Sequence, residues 1–310
     1  MNDIRIVFMG TPFFASNILE GLINNNYNIV LVVTQPDKPF GRKRVLKASE
    51  CKEIAMKNSI DVLCPNSLKD EYKRIFDYKP DLIITCAYGQ FLPKGLLDFP
   101  KYKSINIHGS LLPKYRGGAP IQRCIMNGDK YTGISIMFMN EHMDEGDILY
   151  QNKIKIDIND TSTSLFNKMS NLGREMIIDF LPKFLNGDYI AIKQDNKLSC
   201  VAGNIKKEEE HINFNDDVEK VHNHIRALLD NPGCYFVVDD KKYKIHKSAF
   251  VADNNSTPSY IYGFENDYIK IGTNNGFILI YLIQAESKNV CNAKEFNNGL
   301  GKKIIGKQAC

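Results

Sequence analysis

Five short apolar runs, Ile4 to Met9, Ile29 to Thr34, Asp81 to Cys86, Ser104 to His108 and Gly133 to Met139, recur through the first half of the chain. Each is rich in β-branched residues and too short for a buried helix, so each predicts a strand. The segments between them place apolar residues at helical spacing. Strands interleaved with amphipathic helices imply βαβ units, and hence an α/β, Rossmann-like, mainly parallel sheet whose functional loops leave from the carboxyl ends of the strands. Asn106-Ile107-His108 lies at one such end.

A longer period follows. Leu165, Met169, Leu172, Met176, Phe180 and Phe184 recur every three or four residues, and Asp160-Thr161-Ser162 supplies a start signal, so a helix is predicted over Ser162 to Leu185, with Pro182 bending its end. Its Met and Phe stripe reads as core packing. After Asn186-Gly187 the periodicity fades until Asn204, and residues 190–206 read as a linker. A second pattern begins near Lys207. A helix over Asp216 to Leu229, closed by Asn231-Pro232-Gly233, precedes strands at Cys234 to Val238, Tyr243 to Phe250, Tyr268 to Thr273 and Phe277 to Ile283. Asn274-Asn275-Gly276 between the last two suits a tight hairpin. The expected organisation is a catalytic-type α/β domain over 1–189, the linker over 190–206, and a small β-barrel-like (OB-like) domain over 207–310.

Composition narrows the class. A chain of 310 residues, 43% hydrophobic and 25% charged, suits two folded globular domains. The longest apolar runs, such as Phe277 to Ile283, are far shorter than the roughly 20 residues that cross a bilayer. The first residues show no basic, apolar, small-residue leader pattern, so no membrane association and a cytoplasmic address are expected. The eight cysteines are scattered without a C-x-x-C pair, which argues for reduced thiols, mostly buried, with Cys310 exposed, and against a metal site. The net charge of +4 is small, and residues 200–310 carry 14 basic and 14 acidic side chains. Local clusters therefore matter more than the total.

Gly10-Thr11-Pro12-Phe13 follows the first strand, where a dinucleotide-binding fold would place G-x-G-x-x-G. That fingerprint and the Walker pattern are both absent, which lowers NAD, FAD and ATP as cofactors. Chemistry instead concentrates in Ser104-Ile105-Asn106-Ile107-His108-Gly109-Ser110-Leu111-Leu112-Pro113-Lys114-Tyr115-Arg116-Gly117, with Asp144 beyond it. On a strand, Asn106 and His108 project to the same side and can face one ligand. Acyl transfer to an amine needs donors for a developing oxyanion and a group that manages the amine's proton, and Asn, His and Asp supply both without a metal.

This run resembles the 10-formyltetrahydrofolate-dependent formyltransferases, marked by N-x-H, then S-L-L-P-x-Y-R-G, then a spaced aspartate. The resemblance implies that Asn106 and His108 hold the formyl oxygen while Asp144 orients and charge-stabilises His108 and relays the amine's proton. It further implies folate contacts from Tyr88, Gly89, Gln90, Phe91 and Leu92 and from Ser110, Leu111, Leu112 and Pro113, with 10-formyltetrahydrofolate as formyl donor.

The family formylates several amines, and the rest of the chain must choose among them. Similarity to the members that act on methionyl initiator tRNA covers nearly the whole length, from Phe8-Met9-Gly10-Thr11-Pro12 to the Cys291–Gly306 region. The loop Gln35 to Lys47, with five basic residues and one acid, looks like a tRNA-probing insertion, implying Lys38, Arg42, Lys43 and Arg44 as tRNA contacts. The implied partners are methionyl initiator tRNA and a reduced folate, and a monomer is expected. One departure is Asn231, where the family usually has a tryptophan before Pro-Gly. The competing readings are an amino-sugar-nucleotide formyltransferase, which would not need the basic loop, and a non-catalytic RNA- or folate-binding protein, which would tolerate loss of Asn106, His108 or Asp144.

Overall fold

Ile6–Gly10 (β1) is buried at every position, as a strand covered on both faces must be. The computed structural model describes residues 3–40 and 44–310. Its further strands are Ile29–Val33 (β2), Lys38–Phe40 (β3), Val45–Lys47 (β4), Val62–Leu63 (β5), Leu82–Cys86 (β6), Ser104–His108 (β7), Tyr131–Phe138 (β8) and Ile148–Lys155 (β9). Seven of these form one sheet in the order β5-β2-β1-β6-β7-β8-β9. Pairing is parallel from β5 to β7 and antiparallel from β7 through β9.

The predicted mainly parallel sheet is therefore present, with three differences, one of them the edge strand β5, whose two residues are too few to carry a pattern. Strand β9 was not anticipated, because Gln151, Asn152 and Lys153 interrupt its apolar pattern on the exposed edge. The hairpin β3-β4 stands apart as a two-stranded ribbon within the basic loop. Val7, Met9, Leu31, Val33 and Ile83 join one buried cluster, which holds the sheet against the helical layer.

The helix Ser162–Leu185 has the predicted limits and continues through Pro182. Thr161 and Ser164 cap its start reciprocally, Ser164 N donating to Thr161 Oγ1 at 3.2 Å and Thr161 N to Ser164 Oγ at 3.0 Å.

In the second half, Cys234–Val238 (β10), Lys241–Ala252 (β11), Ile261–Glu265 (β12), Tyr268–Thr273 (β13), Gly276–Ala285 (β14) and Cys291–Asn292 (β15) form an antiparallel sheet, ordered β10-β11-β14-β13-β12 with β15 on β14. The C-terminal residues close it into a barrel. Ile261 N donates to Lys307 O at 3.0 Å on the β12 side, and Val237 and Cys310 exchange backbone hydrogen bonds on the β10 side. Val221, Ile225 and Leu228 of the helix Val218–Leu228 pack into a core with Phe236, Ile245, Ile271 and Ile280.

The chain divides into two compact units. One comprises residues up to Pro120, Tyr131–Lys155 and Phe166–Gly203; the other comprises Ile121–Lys130, Ile156–Leu165 and Asn204–Cys310. Charge explains why the two short pieces join the second unit. Arg123 pairs with Glu209, and the buried Arg226 donates to the carbonyls of Asp157 (3.2 Å) and Asp160 (2.7 Å). The stretch read as a linker is also structured. Ile192 and Ile148 exchange backbone bonds of 2.8 Å, and Ala202 N donates to Arg116 O at 2.6 Å. No helix among the described residues is long and apolar enough to cross a membrane.

Candidate active site

Strand β7 lies inside the sheet, between its parallel neighbour β6 and its antiparallel neighbour β8. Asn106 and His108 alternate with the buried Ile105 and Ile107, so both face the same side. The loop after β8 brings Asp144 to them. His108 Nδ1 lies 3.6 Å from Asp144 Oδ2, and Asn106 Nδ2 lies 3.4 Å from Asp144 Oδ1. Thus Asp144, more than thirty residues beyond the strand-borne pair Asn106 and His108, meets them in one cluster.

Each of the three is fixed from behind. Thr85 Oγ1, buried on β6, donates to Asn106 Oδ1 at 2.8 Å. That bond sets the amide so that its NH2 group, a donor, faces Asp144 and the open side. Tyr115 O lies 2.8 Å from His108 Nε2. A carbonyl only accepts, so Nε2 carries a proton and Nδ1 is the ring nitrogen left to face the carboxylate. Gly117 N donates to Asp144 Oδ2 at 2.8 Å. The side chains of His108 and Asp144 are 7% and 15% exposed, so this charge–imidazole contact is poorly screened.

The loop between β7 and the helix Pro120–Met126 is held by its own polar atoms and by side chains of β8 and β9. Ser110 Oγ donates to Lys114 O and Ser135 Oγ to Ser110 O, each at 2.6 Å, while Gln151 Nε2 donates to Leu112 O at 2.9 Å. Leu112 packs with Met137 and Ile148. Ser110 and Leu112 are therefore occupied in shaping the loop, and Leu111 and Pro113 are its half-exposed members.

The other segment expected to contact folate divides in the same way. Tyr88 and Leu92 are buried in the sheet's core cluster, whereas Phe91 is 73% exposed. Gln90 is engaged with Leu68 N (2.7 Å) and Pro65 O (3.3 Å), and Gly89 takes a φ of 91° that favours glycine. Tyr88 Oη is buried and has no hydrogen-bond partner among the described residues, and burial pushes its phenol up.

Within the basic loop, Lys38 and Arg44 are exposed, and Lys38 sits opposite Lys47 in the β3-β4 pair. Arg42 and Lys43 lie outside the described residues. Asp37, the loop's acid, is bound by Lys52 at 2.8 Å, so it does not offset the exposed cations. Sequence reasoning missed Thr85, Gly117 and the carbonyl of Tyr115. Tyr115 and Gly117 stand within the run from Ser104 to Gly117, whereas Thr85 shows only as the lone hydroxyl in the buried run Leu82-Ile83-Ile84-Thr85-Cys86.

A strand-borne amide and imidazole thus converge on a carboxylate at the carboxyl end of a mainly parallel sheet. The formyl transferase family matches residues 4–181, and its C-terminal domain matches residues 204–301. The chain belongs to this family. It is 44% identical to the methionyl-tRNA formyltransferase of Ligilactobacillus salivarius, over 96% of this chain and 95% of that one. The corresponding protein of Lactobacillus gasseri is 42% identical over the same shares, 96% and 95%. Among solved structures, the sugar 3N-formyltransferase WlaRD, studied in the presence of dTDP and 5-N-formyl-THF, has a TM-score of 0.67 at 24% identity, covering 92% of this chain and 99% of its own. That likeness speaks to the fold.

Proposed function

We propose that the protein transfers the formyl group of 10-formyltetrahydrofolate to the free amino group of methionyl initiator tRNA, giving N-formylmethionyl-tRNA for translation initiation, as a cytoplasmic monomer. The observation that carries the chemistry is the convergence of Asn106, His108 and Asp144. Similarity to methionyl-tRNA formyltransferases through both units supports the acceptor.

The donor supplies a formyl carbon bound to nitrogen, held between the Tyr88–Leu92 segment and the Ser110–Pro113 loop. As the acceptor amine forms its bond to that carbon, negative charge grows on the formyl oxygen. Asn106 Nδ2 meets it with a neutral N–H, fixed by Thr85 before the reaction begins. His108 meets it through Nδ1 when that nitrogen carries a proton, because Nε2–H is already spent on Tyr115 O. Asp144 stabilises the resulting imidazolium and accepts the proton that the attacking amine must lose. When the bond from the formyl carbon to the donor nitrogen breaks, that nitrogen needs a proton, and the same Asp144–His108 pair supplies it. Lys38, Arg42, Lys43 and Arg44 attract the tRNA backbone.

The test mixes purified protein and 10-formyltetrahydrofolate with methionyl initiator tRNA in one reaction and with a dTDP-amino sugar in another. Formyl-methionine on the tRNA, with negligible sugar product, is the expected result. Formylation of the sugar in preference to the tRNA would reassign the acceptor while leaving the catalytic residues in place.

A further inference from the structure

Gln194 comes from the stretch whose lost periodicity reads as a linker, yet it is only 7% exposed. All the hydrogen-bonding capacity of its amide is used within the first unit. Nε2 donates to Asp144 O at 2.8 Å and to Gly146 O at 2.7 Å, and Oε1 accepts from Arg116 Nε at 3.1 Å and Nη2 at 2.8 Å. The orientation is fixed by chemistry: carbonyls can only accept and a guanidinium can only donate, so the amide cannot flip. One side chain therefore joins the loop that bears Asp144 to the loop after β7.

Such ties matter at Asp144, whose φ of 54° lies in the left-handed region, which aspartate enters more readily than most residues but still at a cost that neighbouring contacts offset. The same two loops are linked again where Gly117 N donates to Asp144 Oδ2, and Arg116 Nη1 pairs with Glu145 at 3.0 Å. We infer that Gln194 is a positioning residue for formyl transfer, holding the Asp144 backbone so that its carboxylate faces His108 and Asn106. The inference rests on the catalytic reading of Asp144 given above. Without the two Nε2 donors the backbone of Asp144 can relax, and a displacement of about 1 Å in a catalytic group costs about a hundredfold in rate. Because the charge that Asp144 answers develops only during reaction, the loss belongs to kcat and not to KM.

The experiment compares wild type, Gln194→Met, Gln194→Glu, Asp144→Asn and the two double variants of the full chain in steady-state tRNA formylation, with thermal melting beside it. Gln194→Met keeps the length but no polar atom. Gln194→Glu keeps the acceptor for Arg116 and turns the donors into oxygens that repel the two carbonyls, so it remains informative if Gln194→Met folds poorly. We expect either variant to lower kcat by about ten- to a hundredfold, with KM for donor and tRNA changed less than threefold. In the Asp144→Asn background, either substitution should cost less than twofold more, since it acts through a group already lost. Normal kcat in both Gln194 variants, a loss expressed in KM, or a fully additive double variant would overturn the inference. If Asp144→Asn itself formylates normally, the catalytic reading fails as well. Impaired Asp144→Asn beside normal Gln194 variants sinks the positioning role alone.

Discussion

Replacing Asn106 and, separately, the Thr85 that orients it distinguishes an oxyanion donor from its support. Asn106→Ala removes the amide N–H outright, and loss of one oxyanion donor costs about 2.7–4 kcal/mol of transition-state stabilisation, or roughly a hundred- to a thousandfold in kcat. Thr85→Val keeps the shape of a buried residue but deletes the 2.8 Å bond to Asn106 Oδ1. A single hydrogen bond is worth about 0.5–1.5 kcal/mol net. At about 1.4 kcal/mol per factor of ten, the amide's preference for the productive orientation then weakens by roughly two- to tenfold. The bond from Asn106 Nδ2 to Asp144 Oδ1, at 3.4 Å, is too long to preserve the orientation fully. Single-turnover formylation of methionyl initiator tRNA under saturating donor measures both variants on the chemical step. The expected order is Asn106→Ala far below Thr85→Val, and Thr85→Val modestly below wild type, with all three folded by circular dichroism. Asn106→Ala within tenfold of wild type would refute the donor role, and Thr85→Val as damaged as Asn106→Ala would refute the division between donor and support.

Alanine at Arg42, Lys43 and Arg44 together should weaken tRNA binding, leave folate affinity unchanged, and flatten the log–log salt dependence by about one unit per lost phosphate contact; tRNA kinetics that stay the same at several salt concentrations would count against the assignment. Gly146→Ala should cut kcat severely while donor binding survives, because the added Cβ would lie 1.8 Å from Phe138 O and must push the Asp144 loop aside; steady-state kinetics beside ligand-binding fluorescence checks this. Burial, with help from Arg226, pushes His222 from its ordinary 6.5 down to about 4. The unfolded chain therefore takes up this proton first, so the stability of the second unit should be complete above pH 6.5 and decline as pH falls from 6.5 toward 4. His222→Phe, retaining the ring beside Phe250, should flatten that part of a melting-temperature profile, and an unchanged slope would exclude His222 as its source.

Local pattern determined much of this protein. The alternation of apolar runs and amphipathic segments was enough for the central strands of a mainly parallel sheet, since a strand buried on both faces must be continuously apolar. The stripe from Leu165 to Phe184 defined the long helix Ser162–Leu185 to its ends. Asn106 and His108 declared their shared face through the two-residue period of a strand, and the run after them brought Asp144 into the same reading. Local pattern could not reveal β9 or β12, because edge and barrel strands carry polar residues or glycine where one face meets solvent. Nor could it anticipate that the C-terminal residues would close the barrel, which depends on the two strand edges they satisfy. The supports of the site were hidden for a related reason. Thr85, Tyr115 O, Gly117 N and Gln194 act through hydrogen bonds that only the tertiary fold brings about, two of these supports being backbone atoms. Such bonds have no period and no composition. They exist only once the sheet has brought the loops within about 3 Å of one another, so the chemistry was written in residue types, whereas its geometry was decided by tertiary packing.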